Sequence, residues 1–186
     1  MRLTAHIARL ASPDATERDA AAEEIYVAGS ILARRAARAW LKDAEFVSYV
    51  GAEPKITVGV AVPRELFAQI REANGTPRLA DVPPDQDAEE FEIHFPGLYF
   101  DVLTSKAPQG NGAIARYLSK FGAGIQQVEF LCSDVDRATQ LLRERFEVTP
   151  IYPETRAGAD GTRVNFFLVT TGAEERVLIE LYEKPS

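Results

Sequence analysis

The sequence predicts an α+β fold, in which paired strand–helix–strand–strand–strand modules form a curled sheet around a cavity behind an all-α N-terminal extension. Three observations predict it. Residues 1–50 are rich in alanine, arginine and glutamate and hold no β-rich run. From about residue 55, apolar runs of strand length set in, separated by two helical patterns. The order of those runs then repeats, giving module one over about 55–105, a linker over 106–123 and module two over 124–186. The expected division is therefore a helical extension, 1–50, and a β-rich domain, 51–186.

In the extension, Leu3, Ile7 and Leu10 fall at helical spacing and predict a short first helix. Ser12-Pro13-Asp14 ends it and starts the next, because proline fits a first helical turn but not a helix interior. A second helix runs through Ile25, Gly29 marks a turn, and a third helix carries Ile31, Leu32, Ala36, Ala39 and Trp40. Arg34, Arg35 and Arg38 make a basic cluster. Acidic and basic residues balance at seven each over 1–50, however, so a solvated helix face is expected there rather than an anion site. The segment resembles a fragment of a HEAT-type helical repeat, with one or two helix pairs.

Module one opens with the strand ITVGVAV (56–62) and the helix PRELFAQIREANG (63–75). The turn-rich ADVPPDQDAEE (80–90) leaves room for a short edge strand, and FEIHF (91–95) and LYFDVLT (98–104) follow as strands. The linker carries a short helix over 113–120. Module two repeats the order: strand IQQVEFLC (125–132), a helix over 134–146 with Asp134 as its N-cap, a short strand at 148–152, then RVNFFLV (163–169) and RVLIELYE (176–183).

Composition narrows the function. The hydrophobic fraction of 46% is enough for a sizeable core. A net charge of −7 argues against nucleic-acid binding, which requires a basic surface. The single cysteine, Cys132, excludes an internal disulfide and a cysteine-rich zinc site. It ends a strand with no histidine near it in sequence, so a structural role is expected. With two histidines, His6 and His94, imidazole-rich chemistry is already in difficulty. No apolar run reaches the roughly 18 residues of a membrane span, and the N-terminus lacks the pattern of a secretory signal, so the expected location is the cytoplasm.

Three stretches carry a family likeness: GAGIQQVEFLCSDVDRATQLL, RAGADGTRVNFFLV and VLIELYEKP. Together they resemble the second half of the vicinal-oxygen-chelate superfamily (glyoxalase I, extradiol dioxygenases, bleomycin-resistance proteins), and within it the methylmalonyl-CoA epimerases most. Module one matches in the order of its elements more than in sequence, and residues 1–50 have no counterpart. The resemblance implies a ligand cavity with one metal ligand from the first and one from the last strand of each module. Those positions fall on Thr57, Asp101, Gln127 and Glu180. It also implies a catalytic glutamate on an inner strand of module one, at Glu92, with His94 two residues on and on the same side.

The departures from that pattern are informative. Threonine and glutamine stand where the family has histidines, and an all-oxygen set suits a loosely held hard cation, not a transition metal. No cofactor is expected beyond a weak divalent cation. Three functions remain open. The first is a metal-free small-molecule binder of bleomycin-resistance type, with Thr57, Asp101, Gln127 and His94 lining its cavity. The second is an epimerase or lyase that moves a proton alpha to a carbonyl between Glu92 and Glu180. The third is a scaffold that binds a protein partner through the N-terminal helices. A homodimer is compatible with each; nucleic-acid and membrane partners are not expected.

Overall fold

The computed structural model describes residues 3–171 and 175–185. It is α+β: among the described residues there are six α-helices and seven strands. By contact density the chain forms two compact units, each discontinuous in sequence. The first comprises residues 1–29 and 57–126, the second 30–56 and 127–186.

In the first unit, β1 (Ile56–Ala61) pairs in parallel with β3 (Leu98–Thr104), which pairs antiparallel with β2 (Glu89–Phe95). Registers Val58↔Phe100↔Ile93 and Val60↔Val102↔Phe91 put apolar side chains on one face. Helices cover that face. Phe67 of α4 (Arg64–Ala73) meets Phe91 edge-on at 4.7 Å between ring centroids, and Tyr26 of α2 (Ala15–Ala36) meets Phe100 at 5.8 Å. The short α1 (Leu3–Arg9) joins this unit: Ile7 and Leu10 are fully buried, and the Asn74 side chain donates to the Leu10 carbonyl at 2.9 Å. α5 (Ala113–Phe121) occupies the linker as expected and buries Ile114 and Ala115.

In the second unit the order is β4–β7–β6–β5, with β4 (Gly124–Leu131) parallel to β7 (Glu175–Glu183) and β6 (Arg163–Thr171) antiparallel to it. Val128, Phe130, Ile179, Leu181 and Phe167 share one buried face. α6 (Val135–Phe146) buries Val135, Ala138, Leu141 and Leu142. Its N-cap is Asp134, whose carboxylate accepts from the Arg137 amide at 2.9 Å, as the sequence predicts. Trp40, in a single 3₁₀ turn, meets Phe46 of α3 (Ala44–Val50) and Phe167 edge-on, each at 5.8 Å.

Three expectations need correction. Gly29 is no turn, because α2 runs unbroken through it. It is a point of close approach: a Cβ there would lie 2.5 and 2.7 Å from the two methyl groups of Val58. The stretch 80–88 forms no strand, and its Ala80 amide donates to the Glu90 carbonyl of β2 at 2.9 Å. The short strand of the second module is β5 (Arg156–Ala157), not 148–152. Tyr152 instead folds its ring against Phe166 at 6.0 Å and accepts a hydrogen bond from Asn165 on its carbonyl.

Gly29 gives a clean test, since two effects oppose each other there. Gly29→Ala gains about 1 kcal/mol of helix propensity, but the methyl meets Val58 and overpacking costs about 1–3 kcal/mol. The clash should win: Gly29→Ala melts lower than the parent in a thermal scan, Gly29→Val lower still, and Val58→Ala in the Gly29→Ala background recovers part of the loss.

Candidate functional site

Strand alternation builds the site of the second unit. On β4, Val128 and Phe130 go into the core, so Gln127 and Glu129 point to the opposite face. On β7, Ile179 and Leu181 go to the core and Glu180 takes that same opposite face, in direct register with Glu129. All three polar side chains are nevertheless buried, at 8% exposure for Gln127, 5% for Glu129 and 9% for Glu180. The Gln127 amide nitrogen lies 2.7 Å from a Glu180 carboxylate oxygen and 2.9 Å from one of Glu129. One NH₂ group therefore serves two carboxylates.

The orientation of that amide follows from charge. Turned the other way, Gln127 would aim its carbonyl oxygen at two carboxylates and leave both without this donor. Hydrogen bonds to charged groups each stabilise by about 1.5–3 kcal/mol, and burying a carboxylate without partners costs several kcal/mol. The sequence expectation included Gln127 and Glu180 but missed Glu129. The signal was present: Glu129 is two residues from Gln127 in IQQVEF and so shares its face.

In the first unit, Thr57, Asp101, Glu92 and His94 share the face opposite the apolar core, because Asp101 pairs with Gly59 and with Glu92. Their burial differs. Thr57 is 6% exposed and Asp101 is half-buried. Glu92 and His94 are exposed and engage each other, with His94 Nε2 and a Glu92 carboxylate oxygen 3.2 Å apart. Phe91 and Ile93, which alternate with them, fill the core.

The donor chemistry does not fit a transition-metal site. Thr57, Asp101, Gln127 and Glu180 supply hydroxyl, amide and carboxylate oxygens and no imidazole or thiolate. Gln127 moreover presents hydrogens, not a lone pair, toward Glu180. Among the described residues, no group of three or more histidine, cysteine, aspartate or glutamate side chains is arranged to hold a metal ion. Cys132 is buried, and desolvation pushes its thiol up to about 11, away from nucleophilic chemistry.

Methylmalonyl-CoA epimerase from Mycobacterium tuberculosis superposes with a TM-score of 0.60 at 25% identity, covering 75% of this chain and 92% of its own. A selenomethionine methylmalonyl-CoA epimerase matches at 26% identity and a TM-score of 0.55, over 70% of this chain and 94% of its own. This chain has the vicinal-oxygen-chelate fold. A variant of the Streptomyces coelicolor epimerase, in complex with 2-nitronate-propionyl-CoA, shares it at 22% identity, with a TM-score of 0.57 over 70% of this chain and 96% of its own. No protein-family model matches the sequence, and no curated protein matches it. The superfamily likeness read from GAGIQQVEFLC, RVNFFLV and VLIELYE thus holds at the level of fold, with methylmalonyl-CoA epimerases among the structures it matches.

Two measurements follow from this geometry. Gln127→Ala removes a donor from two buried carboxylates and should lower unfolding free energy by roughly 2–4 kcal/mol in urea titration, while Gln127→Glu, which adds a third acid, should cost more. The Cys132 thiol should stay unreactive toward Ellman's reagent at pH 8 in the native protein and react stoichiometrically once the chain is unfolded in guanidinium.

Proposed function

We propose that this protein binds a small organic molecule on the glyoxalase-like scaffold without the transition metal usual to that fold, with Gln127, Glu129 and Glu180 as the polar anchor of the second unit. One observation carries the reading: the Gln127 amide, at a position where the family pattern has a metal-binding histidine, donates to Glu180 and Glu129. A ligand that meets this trio encounters a hydrogen-bonded amide and carboxylates rather than a Lewis acid. Recognition then relies on hydrogen bonding and burial, with a weakly held hard cation as the only inorganic companion the oxygen set suits. The solved epimerases suggest the first probes, acyl-CoA esters and short α-keto acids. Residence in the cytoplasm fits such ligands and the composition. No helix among the described residues is long and apolar enough to cross a membrane.

The alternative is an epimerase or lyase in which Glu92 and Glu180 exchange a proton alpha to a carbonyl. The burial of Glu180 favours it, since a carboxylate of that kind can act as acid or base. The engagement of exposed Glu92 by His94 weighs on the other side. Without a metal, the enolate would be stabilised by hydrogen bonds alone.

Metal analysis of the purified chain, with a melting-temperature screen of Co, Ni, Zn, Mn and Mg, tests the primary reading. The expected result is no stoichiometric transition metal and no rise in melting temperature with Co, Ni or Zn; one equivalent of tightly bound metal would overturn it. In deuterated buffer, methylmalonyl-CoA should show no enzyme-dependent exchange of its alpha proton. Exchange that is lost in both Glu92→Gln and Glu180→Gln would establish the enzyme instead.

A further inference from the structure

The second unit carries a cleft of about 640 Å³ that the proposed function does not use. α6 forms one wall, residues 153–155 the other, and β6 contributes Arg163 and Asn165. These two belong to the face of β6 that also carries Phe167, opposite to the face of Glu180. The cleft is therefore separate from the Gln127–Glu129–Glu180 trio, and its volume is in the range of small-molecule sites.

One side chain in it is buried and unsatisfied, and two exposed charges beside it have no protein partner among the described residues. Thr139 of α6 is only 6% exposed, and its hydroxyl is buried with no hydrogen-bond partner among the described residues. Such a group costs about 1–3 kcal/mol unless something bonds to it. Arg143 lies one helical turn further along, on the same face of α6 as Thr139. Neither Arg143 nor Glu154, on the opposite wall, makes an ion pair or side-chain hydrogen bond among the described residues. The other charges are already engaged: Asp136 accepts from Arg163 and from Thr155, and Arg163 also reaches Glu183 at 3.3 Å.

One cation, one anion and one buried hydroxyl thus remain available in a single polar cleft. We propose that it is a second binding site, for a small zwitterion of the α-amino-acid class. The ligand carboxylate pairs with Arg143, its ammonium with Glu154, and one of its polar atoms satisfies the Thr139 hydroxyl. A simple anion would leave Glu154 without a partner, and a simple amine would leave Arg143 without one.

The test is amide NMR on the ¹⁵N-labelled full chain, titrated with each of the twenty common L-amino acids. L-Alanine is run beside propionate and ethylamine, which each keep one of its two charges. At least one amino acid should shift the Thr139 and Asn165 resonances saturably, while propionate and ethylamine do not. Thr139→Val should weaken that binding about fivefold or more, the exposed Arg143→Gln should weaken it at least tenfold, and Glu180→Gln should leave it unchanged. No saturable shift with any amino acid would overturn the proposal. So would equal shifts with propionate or ethylamine, or binding indifferent to Arg143→Gln. Arg143→Gln keeps the test decisive if Thr139→Val fails to fold.

Discussion

A single amide group holds the chemistry of the second unit together. Gln127 donates from one nitrogen to the carboxylates of Glu129 and Glu180, all three side chains being at least nine-tenths buried. Two acids in direct register on neighbouring strands would be a liability on a dry face. The bridging amide offsets part of that cost and sets its hydrogens toward both carboxylates. A histidine there could turn a lone pair toward a metal; a glutamine between two carboxylates turns its hydrogens toward them. An amide at this position therefore differs from an imidazole in the polarity it presents as well as in ligand strength.

Everything that presents this group comes from ordinary strand physics. Val128, Phe130, Ile179 and Leu181 are committed to the core beneath α6, and the residues between them have no choice but the other face. The same holds in the first unit, where Phe91, Ile93, Phe100 and Val102 bind the sheet to its helices and leave Glu92, His94 and Asp101 on the opposite side. Packing of the apolar face is what aims the polar one. A one-residue slip in β7 would bury Leu178 and Tyr182 in place of Ile179 and Leu181 and withdraw Glu180 from Glu129 altogether.

Much of this was legible in the chain. Apolar runs of strand length located β1 to β4, β6 and β7, and Asp134 announced the start of α6. Less legible were features set by contacts distant in sequence. Gly29 reads as a break when seen only beside its neighbours, yet it is a contact surface for Val58, nearly thirty residues away. The apolar run 148–152 reads as a strand, yet the strand that pairs with β6 is Arg156–Ala157, opposite Val164 and Arg163. The spacing of Glu129 from Gln127 puts both on one face, but the pairing of Glu129 with Glu180 is set by strand register and not by local pattern.

The sequence alone determined the α+β class and which residues of each strand share a face. Those follow from local periodicity and residue chemistry, which need no knowledge of neighbours. Only the tertiary structure decided that Glu129 stands against Glu180, that Gln127 bridges them, and that Glu92 is exposed beside His94. Register and burial arise between segments distant in the chain, and no local pattern encodes them.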